Sequence, residues 1–354
     1  MIVNNDFAGF VSTPPLIKKF PKGEDLILVY CKEGDQDVSD EMAEKYRARM
    51  ASLAKRHRIL VVLNRYYKPW ASKLNVPNVQ TIYIDWFAID VYRKIFIEKQ
   101  CQPTEFTKNN NKFLCLVGKC GKEHRARAVW DLWKRNLIPH ANISFRIPTI
   151  TSTFLRSPDD SVKDHIEYTD TEWEQFKKDT VNDLDYKFDL KVTDTHYTGI
   201  PFNNQIYSTS DFHYVIESQS KNRFPWITEK TWLAIVNKMP FIILGDKGTL
   251  DRLESLGFKT YKEFLKYPDY NNCTDQLEKV HLASKNVEHW IENINSYDLQ
   301  PIAEYNYTVF EKLVSSNMKI INAASEGFEN KHLPWEIGLP YKNKQKFKPV
   351  RFNG

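Results

Sequence analysis

The sequence predicts an α/β fold in which helices cover parallel sheets. Short runs rich in branched and aromatic residues, such as Phe212–Ile216 and Pro240–Leu244, are typical of buried strands. Apolar residues recur at helical spacing between these runs, and strand, helix, strand, helix in this order indicates a βαβα unit. A chain of 354 residues is long enough for about two domains with full cores.

Residues 1–108 predict a small N-terminal α/β domain. Its expected strands are Leu26–Tyr30, Ile59–Leu63 and Thr81–Ile84. Ser39 is the expected N-cap of a helix that reaches about His57. The polar stretch Gln100–Asn111 contains a proline and three consecutive asparagines, so it is the predicted linker to the next domain.

Residues 109–318 predict a second α/β domain. Its first expected elements are the strand Lys112–Val117, the loop Gly118–Lys122, the helix Glu123–Arg135 and the strand Asn142–Phe145. An acidic excursion near 150–195 then interrupts the alternation of strands and helices, and Trp173 and Phe176 are expected to hold it against the core.

Charged residues lie between the two most regular strands of this domain. Glu217 ends the first strand, and Thr228 is a good N-cap, which places Glu229 and Lys230 in the first turn of a helix. Ligands of parallel α/β sheets bind beyond the carboxyl ends of the strands. Carboxylates can accept hydrogen bonds from sugar hydroxyls, a lysine at a helix N-terminus attracts a diphosphate, and Trp226 can cover a base or sugar face. The pattern indicates a nucleotide-sugar site, although ordinary surface charges would produce the same Glu-Lys pair.

A second basic segment surrounds the start of the helix Glu123–Arg135. Glycines in the preceding loop let backbone amides approach a phosphate, and Lys122, Arg125 and Arg127 are candidate phosphate contacts. The loop matches neither the P-loop nor the dinucleotide fingerprint. A solvated basic helix start is the alternative interpretation.

One stretch of about fifty residues, Phe212 to Lys262, resembles a known family. Its strand ends in Glu217 and Ser218, an aromatic residue precedes Ile-Thr-Glu-Lys, a tryptophan follows two residues later, and a second strand ends in Leu-Gly. This order is similar to the donor-binding signature of the α-1,3-fucosyltransferase family and its viral and bacterial relatives.

The resemblance implies the GT-B architecture, with two Rossmann-like domains facing across a cleft, and transfer of a sugar with inversion from a nucleotide diphosphate. It implies that Glu229 contacts the ribose or sugar and Lys230 the phosphates, while Trp226 replaces an aromatic that is commonly tyrosine. Arg125 is the expected diphosphate contact on the first helix, with Arg127 as second candidate. Residues 319–354 are expected to cross back to the first domain.

Inverting transfer requires a general base near the acceptor hydroxyl. The resemblance places this base in the N-terminal domain, where Asp85 at a strand end is the first candidate and Asp90 and Asp35 are alternatives. Glu217 is a candidate for binding a sugar hydroxyl. Because first-turn charges rarely support a core, replacing either Glu229 or Lys230 is expected to leave the fold intact.

Composition limits the other possibilities. The net charge is +5, with a pI of about 8.7, which permits a polyanionic partner without requiring one. The five cysteines are odd in number and scattered, as expected for reduced thiols in a cytosolic protein. No apolar run approaches the ~20 residues of a membrane span and no secretory leader is visible, so we expect a cytoplasmic protein, in the host cytoplasm if it is viral.

No metal site is predicted. Cys115 and Cys120 lack the second pair that zinc requires, and the triplets Asp35–Asp37 and Asp183–Asp185 are of a kind common by chance in acidic stretches. No cofactor is expected beyond the nucleotide-sugar donor.

The acceptor is predicted from weaker signals. Lysine- and asparagine-rich loops and the form of the segment Lys112–Leu137 resemble glycosyltransferase-like proteins of tailed phages, some of which modify hydroxymethylcytosine in double-stranded DNA. With the mild basicity, this favours a hydroxymethylated base in phage DNA as acceptor. A lipopolysaccharide or other glycan is the alternative acceptor, and a non-catalytic nucleotide-binding structural protein is the alternative of another class.

Overall fold

A computed structural model describes residues 2–4, 23, 25–30, 38–97, 112–119, 122–146, 162, 165–180, 207–326 and 328. The chain forms two compact units, Met1–Arg93 with Lys312–Gly354 and Lys94–Glu311. Each unit contains a four-stranded sheet in which every described pair of neighbouring strands is parallel. The prediction of an α/β fold with parallel sheets is confirmed.

The first sheet has the order β1-β2-β3-β4. Its strands are β1 (Ile2–Asn4), β2 (Leu26–Tyr30), β3 (Ile59–Asn64) and β4 (Val79–Ile84). Every residue of β2 and β3 is buried, as expected for central strands of a parallel sheet. Strand β1 was not predicted, because three residues are too short to show a periodic pattern; its place is set by parallel pairing with β2.

Helices follow the strands of this first unit. They are α1 (Asp40–Ala54), a 3₁₀ segment (Arg65–Trp70), α2 (Ala71–Leu74), α3 (Trp86–Tyr92) and a π-helical turn (Arg93–Ile97) at the unit boundary. The hydroxyl of Ser39 accepts a 3.1 Å hydrogen bond from the backbone N–H of Met42, which confirms Ser39 as the N-cap of α1.

The second sheet has the order β6-β5-β7-β8. Its strands are β5 (Phe113–Lys119), β6 (Ala141–Arg146), β7 (Phe212–Ile216) and β8 (Phe241–Leu244). The chain goes from β5 to one neighbour, β6, and then continues on the opposite side with β7. The strand order therefore reverses between β5 and β7, which is where open α/β sheets bind ligands.

Strands β5 and β7 pair only over their first two residues, whereas β7 and β8 pair over four. Strand β5 also continues through Gly118 and Lys119, which were predicted as loop, after an irregularity in its pairing with β6 beyond Leu116. The point of strand reversal is therefore the least regular part of the second sheet.

Six helices in the described residues belong wholly or partly to the second unit. They are α4 (Glu123–Lys134), α5 (Asp170–Thr180), α6 (Glu229–Val236), α7 (Thr249–Ser255), α8 (Gln276–Asn293) and α9 (Gln300–Ser325), with 3₁₀ turns at Ile138–His140, Lys262–Phe264, Pro268–Asn272 and Ile294–Ser296. All eight residues of α6 are buried, including its two charged residues.

Helix α9 is longer than the helix Pro301–Met318 that its amphipathic pattern predicts, and it contains the boundary between Glu311 and Lys312. It therefore carries the chain from the second unit back into the first. Trp173 and Phe176 on α5 are buried, as expected for these two aromatics.

Several predictions lie outside the described residues. They concern Asp35, the boundary near 108, the linker Gln100–Asn111, the triplet Asp183–Asp185 and most of the segment 319–354. Cys115 and Cys273 are free thiols within the described part of the chain. No helix in that part is both long and apolar enough to cross a membrane.

Candidate functional site

Three cations converge on Ser218, the second residue after β7. Nζ of Lys122 donates to the backbone carbonyl of Ser218, Nη2 of Arg125 donates to its Oγ at 3.4 Å, and Nζ of Lys230 donates to the same Oγ at 3.0 Å. We call these four residues the cation cluster. Lys122 precedes α4, Arg125 lies in the first turn of α4 and Lys230 lies in α6, so the cluster is at the point where the strand order reverses.

Three of the four residues of the cation cluster are buried, and Lys122 is half-buried. Ser218, Arg125 and Lys230 expose 3%, 6% and 7% of their surface. Buried cations are costly unless an anion accompanies them. The carboxylate of Glu229 lies 2.7 Å from Nζ of Lys230 and accompanies this cation.

Glu229 and Lys230 both lie at the N-terminus of α6, where the side chain of Thr228 accepts from the backbone N–H of Lys230 and confirms the predicted N-cap. Burial acts to raise the pKa of Glu229, but the charge and hydrogen bond of Lys230 outweigh it and lower the pKa overall. Glu229 is therefore ionised at neutral pH. The alternative interpretation of this pair as ordinary surface charges does not fit its burial, because every residue of α6 is buried. The expectation that replacing either residue leaves the fold intact does not fit this burial either.

Glu217 is fully buried and its carboxylate is used inside the protein. It accepts from the backbone N–H groups of Ser218 and Thr228, at 3.2 and 3.1 Å, and from the hydroxyls of Thr228 and Thr231. Burial raises its pKa, while Lys230 and the threonine hydroxyls act in the opposite direction. The carboxylate thus ties the end of β7 to the first turn of α6.

His124 extends this arrangement from α4. Its Nε2 lies 2.9 Å from the carbonyl oxygen of Glu217. Burial is the main cause that lowers the pKa of His124 to about 3, so the ring is neutral at pH 7. Because a carbonyl oxygen can only accept, the proton of the neutral ring lies on Nε2. His124 therefore positions α4 against β7 without adding charge to the cation cluster.

Asp246 fixes the loop between β7 and α6 from the end of β8. Its Oδ1 accepts from the backbone N–H of Asn222 at 2.7 Å, and its Oδ2 accepts from the backbone N–H of Trp226 at 3.0 Å. Burial raises the pKa of Asp246 to about 6. One carboxylate thereby holds both ends of the segment that carries the predicted stacking residue, Trp226, whose side chain is buried.

Gly245 permits the close approach of these elements. A Cβ atom at this position would lie 2.9 Å from Oγ1 of Thr249 and 3.4 Å from Cβ and Cγ of Glu217. A larger residue would therefore push against the carboxylate that organises α6.

Arg127, the remaining predicted phosphate contact, is not part of the cation cluster. Nε of Arg127 pairs with Glu123 at 3.2 Å, and the same carboxylate accepts from Lys221 at 2.6 Å. These partly exposed ion pairs do not join Arg127 to Ser218, whereas Arg125, two residues earlier on α4, reaches it.

The predicted base, Asp85, lies at the carboxyl end of β4, as expected. Its Oδ2 pairs with Nε of Arg65 at 2.7 Å and accepts from Nδ2 of Asn317 at 3.3 Å. The alternative candidate, Asp90, is buried and pairs with Arg93 at 2.6 Å. Both carboxylates therefore have cationic partners inside the first unit.

Sequence reasoning missed Ser218, His124 and Asp246 as parts of this site. Ser218 was noted only as one residue of the motif that carries the family resemblance. His124 and Asp246 were not predicted, because the residues that they contact are distant in sequence. Their positions relative to the strands could have identified them. Ser218 and Asp246 lie just after a strand of the second sheet, and His124 lies at the start of a helix that follows a strand.

The described residues contain no group of three or more His, Cys, Asp or Glu side chains arranged to hold a metal ion. Comparisons with known protein families, with curated proteins and with solved structures found no match for this chain.

Proposed function

We propose that the second unit binds a nucleotide-diphosphate sugar and that the protein is an inverting glycosyltransferase. The observation that carries this proposal is the convergence of Lys122, Arg125 and Lys230 on Ser218 at the strand reversal. The GT-B architecture expected from the resemblance is part of the proposal, and two parallel α/β units support it.

The cation cluster suits a diphosphate for electrostatic reasons. Three cations lie around one serine, so a bound dianion would reduce the repulsion among them. Arginine can donate two parallel hydrogen bonds to phosphate oxygens, and lysine provides a point charge. The N-terminus of α6 adds backbone N–H groups and the positive end of the helix dipole.

In the transfer reaction the same cations would stabilise the departing nucleotide diphosphate. Negative charge grows on the leaving phosphate as the bond to the sugar breaks, and donors fixed in a buried site stabilise that charge strongly. Lys230 and Arg125 are assigned this role. Glu217, whose carboxylate is occupied by four internal donors, is assigned to hold Lys230 and Ser218 in position.

Asp85 is the proposed general base, in line with its position at the end of β4. Replacing Asp85 with Asn keeps the side-chain shape and the contact with Asn317 but removes the proton acceptor. A loss of turnover of about 10²- to 10⁴-fold without loss of donor affinity would support the assignment. Unchanged turnover would remove Asp85 from the mechanism.

A second candidate function is a nucleotide-binding protein without transferase activity. The observation that favours it is the pairing of Asp85 with Arg65, because this ion pair already engages Oδ2 of the proposed base. Hydrolysis of a nucleotide sugar in the absence of any acceptor would exclude this candidate.

The proposed acceptor is a hydroxymethylated base in double-stranded DNA, with a glycan hydroxyl as the alternative. The net charge of +5 is compatible with a polyanion. Radiolabelled sugar transferred to hydroxymethylcytosine-containing duplex, with binding that weakens steeply as salt rises, would support DNA. Transfer to a glycan but not to duplex would identify the alternative.

Two arginines on α4 provide the central test of the donor site. Arg125→Gln is expected to weaken binding of nucleoside diphosphates by at least tenfold, because Arg125 belongs to the cation cluster. Arg127→Gln is the matched control and is expected to change affinity less than twofold, since Arg127 pairs with Glu123. Isothermal titration calorimetry measures the affinities, and thermal unfolding confirms that both variants fold. Equal losses in both variants would contradict the proposed site.

A further inference from the structure

Three buried asparagines in the second unit differ in what their amides contact. The amide of Asn286 binds the N–H and the carbonyl of Tyr267, at 2.8 and 3.0 Å, and that of Asn306 binds the N–H and the carbonyl of Lys259, both at 2.8 Å. Asn222 is equally enclosed, with 5% of its surface exposed, yet neither Nδ2 nor Oδ1 has a hydrogen-bond partner among the described residues.

An unpaired buried amide requires an explanation, because leaving its donors and acceptor unused costs about 1–3 kcal/mol in an apolar environment. Asn222 cannot relax easily, since its backbone N–H is held by Asp246. The two paired asparagines show one chemistry that such an amide accepts in this protein, namely one N–H and one carbonyl presented together.

Two further polar groups with unused capacity come from the start of α8. Gln276 donates from Nε2 to the hydroxyl of Ser220, two residues before Asn222, but its buried Oε1 has no partner. Lys279 is 3% exposed, and the hydrogen bond described for its ammonium is a 3.3 Å contact with the carbonyl of Gly245. An ammonium can donate three hydrogen bonds, so two remain.

These groups belong to one region of the fold. Gln276 contacts the loop that contains Asn222, and Lys279 contacts the residue before Asp246, which itself binds that loop. Asn222 is four residues from Ser218, so their Cα atoms are at most about 14 Å apart. The unused donors and acceptors are therefore within a nucleotide's length of the cation cluster.

We propose that Asn222, Gln276 and Lys279 form the base-recognition subsite of the nucleotide donor and select a base that carries an adjacent ring N–H and carbonyl, as uracil and guanine do. The amide of Asn222 would pair with that edge through two parallel hydrogen bonds. Oε1 of Gln276 would accept from a further N–H where the base has one, as guanine does in its amino group, and Lys279 would donate to a further acceptor of the base. This inference rests on the proposed function of the cation cluster.

Access to Asn222 requires movement of the loop. The amide is covered by protein, while Arg223 between the two contacts with Asp246 is exposed. The base reaches the amide only when residues 218–226 shift, as active-site loops do when they close over a ligand.

The test uses Asn222→Leu, which keeps the shape of the side chain and removes its polarity. Because no hydrogen bond of this amide is lost, the variant is expected to unfold at the same temperature as the parent or a higher one. The matched control is Asn286→Leu, which loses both contacts with Tyr267 and is expected to unfold at a lower temperature. This contrast establishes that the amide of Asn222 does not support the fold.

Calorimetric titrations with UDP, GDP, CDP, ADP and inorganic pyrophosphate then separate the base from the phosphates. The parent protein is expected to prefer UDP or GDP over CDP and ADP. Asn222→Leu is expected to lower the affinity for the preferred nucleotide on the order of 10- to 100-fold and to leave the affinity for pyrophosphate unchanged. Lys279→Met is expected to show the same separation, with a smaller loss.

Each outcome distinguishes the two proposals. If Asn222→Leu leaves nucleotide affinity unchanged, or weakens pyrophosphate equally, the base subsite is wrong and the cation cluster stands. The same holds if the parent binds all four nucleotides with equal affinity. If the parent binds neither pyrophosphate nor any nucleoside diphosphate, the proposed donor site itself is wrong.

Discussion

Oγ1 of Thr231 donates a hydrogen bond of 2.6 Å to Oε1 of Glu217, which precedes it by fourteen residues. This contact joins the end of β7 to the first turn of α6. Since Lys230 is the neighbour of Thr231 and Ser218 the neighbour of Glu217, the geometry of the cation cluster depends on it.

Thr231→Val is expected to destabilise the protein by about 1.5–3 kcal/mol, because it removes a hydrogen bond to a buried carboxylate. It is also expected to weaken pyrophosphate binding, because the contact that holds Lys230 and Ser218 at a fixed distance from each other is removed. Thr231→Ser retains the hydroxyl and should change both quantities little. Urea unfolding and calorimetry measure them. Similar behaviour of the two variants would refute the positioning role of Glu217.

Lys230→Met is expected to destabilise the fold by about 3–5 kcal/mol, because it leaves Glu229 buried without its cation. The double variant Glu229→Gln with Lys230→Met removes both charges and should recover most of that stability. The affinity for pyrophosphate should remain low in both the single and the double variant. Urea denaturation and pyrophosphate titration are the measurements, and affinity that recovers together with stability would contradict a binding role for Lys230.

Gly245→Ala is expected to cost about 1–3 kcal/mol, because the added methyl group overlaps with Oγ1 of Thr249. Adding Thr249→Ala removes that overlap, so the double variant should be more stable than the sum of the single effects predicts. A double-mutant cycle by chemical denaturation measures the coupling. Strict additivity would show that the methyl group is accommodated elsewhere.

The stability of the protein should fall as the pH decreases from about 6.5. Burial, with the charge of Lys230, lowers the pKa of His213 to about 3, so the unfolded chain binds a proton that the folded protein does not. Below pH ~6 this difference makes the free energy of unfolding fall by about 1.4 kcal/mol for each pH unit of acidification. The lowered pKa of His124 also reduces the free energy of unfolding as the pH falls. The raised pKa of Asp246 has the opposite effect between about pH 4 and 6, because there the folded protein binds the proton more tightly than the unfolded chain.

His213→Leu isolates one of these contributions. The variant should reduce the slope of unfolding free energy against pH by about 1.4 kcal/mol per unit between pH 4.5 and 5.5. Urea unfolding at a series of pH values provides the slope. A slope that matches the parent protein would mean that His213 is protonated in the folded state.

Asn317 is expected to stabilise the first unit. It is fully buried on α9 and accepts from Nη2 of Arg65 and the backbone N–H of Asp85, at 3.2 and 3.3 Å. Asn317→Ala should cost about 1–3 kcal/mol, because these donors lose their acceptor. Asn322→Ala, on an exposed position of the same helix, should cost less than about 0.5 kcal/mol. Equal costs in urea unfolding would contradict this role.

Local pattern was sufficient for most elements of the second sheet. The bounds predicted for β7 agree with the structure, Thr228 caps α6 as predicted, and α7 ends before Gly257, whose φ of 94° favours glycine. These features depend on residues a few positions apart, so the sequence contains them directly.

The sequence by itself determined the parallel α/β class, the strands and caps around the site, and the presence of Arg125 and Lys230 near a strand edge. The tertiary structure decided that both cations meet at Ser218, that Glu217 is occupied internally, that Arg127 pairs elsewhere and that Glu229 and Lys230 are buried. Periodicity reports how residues are arranged along one element, whereas burial and ion pairing depend on which distant elements pack against it.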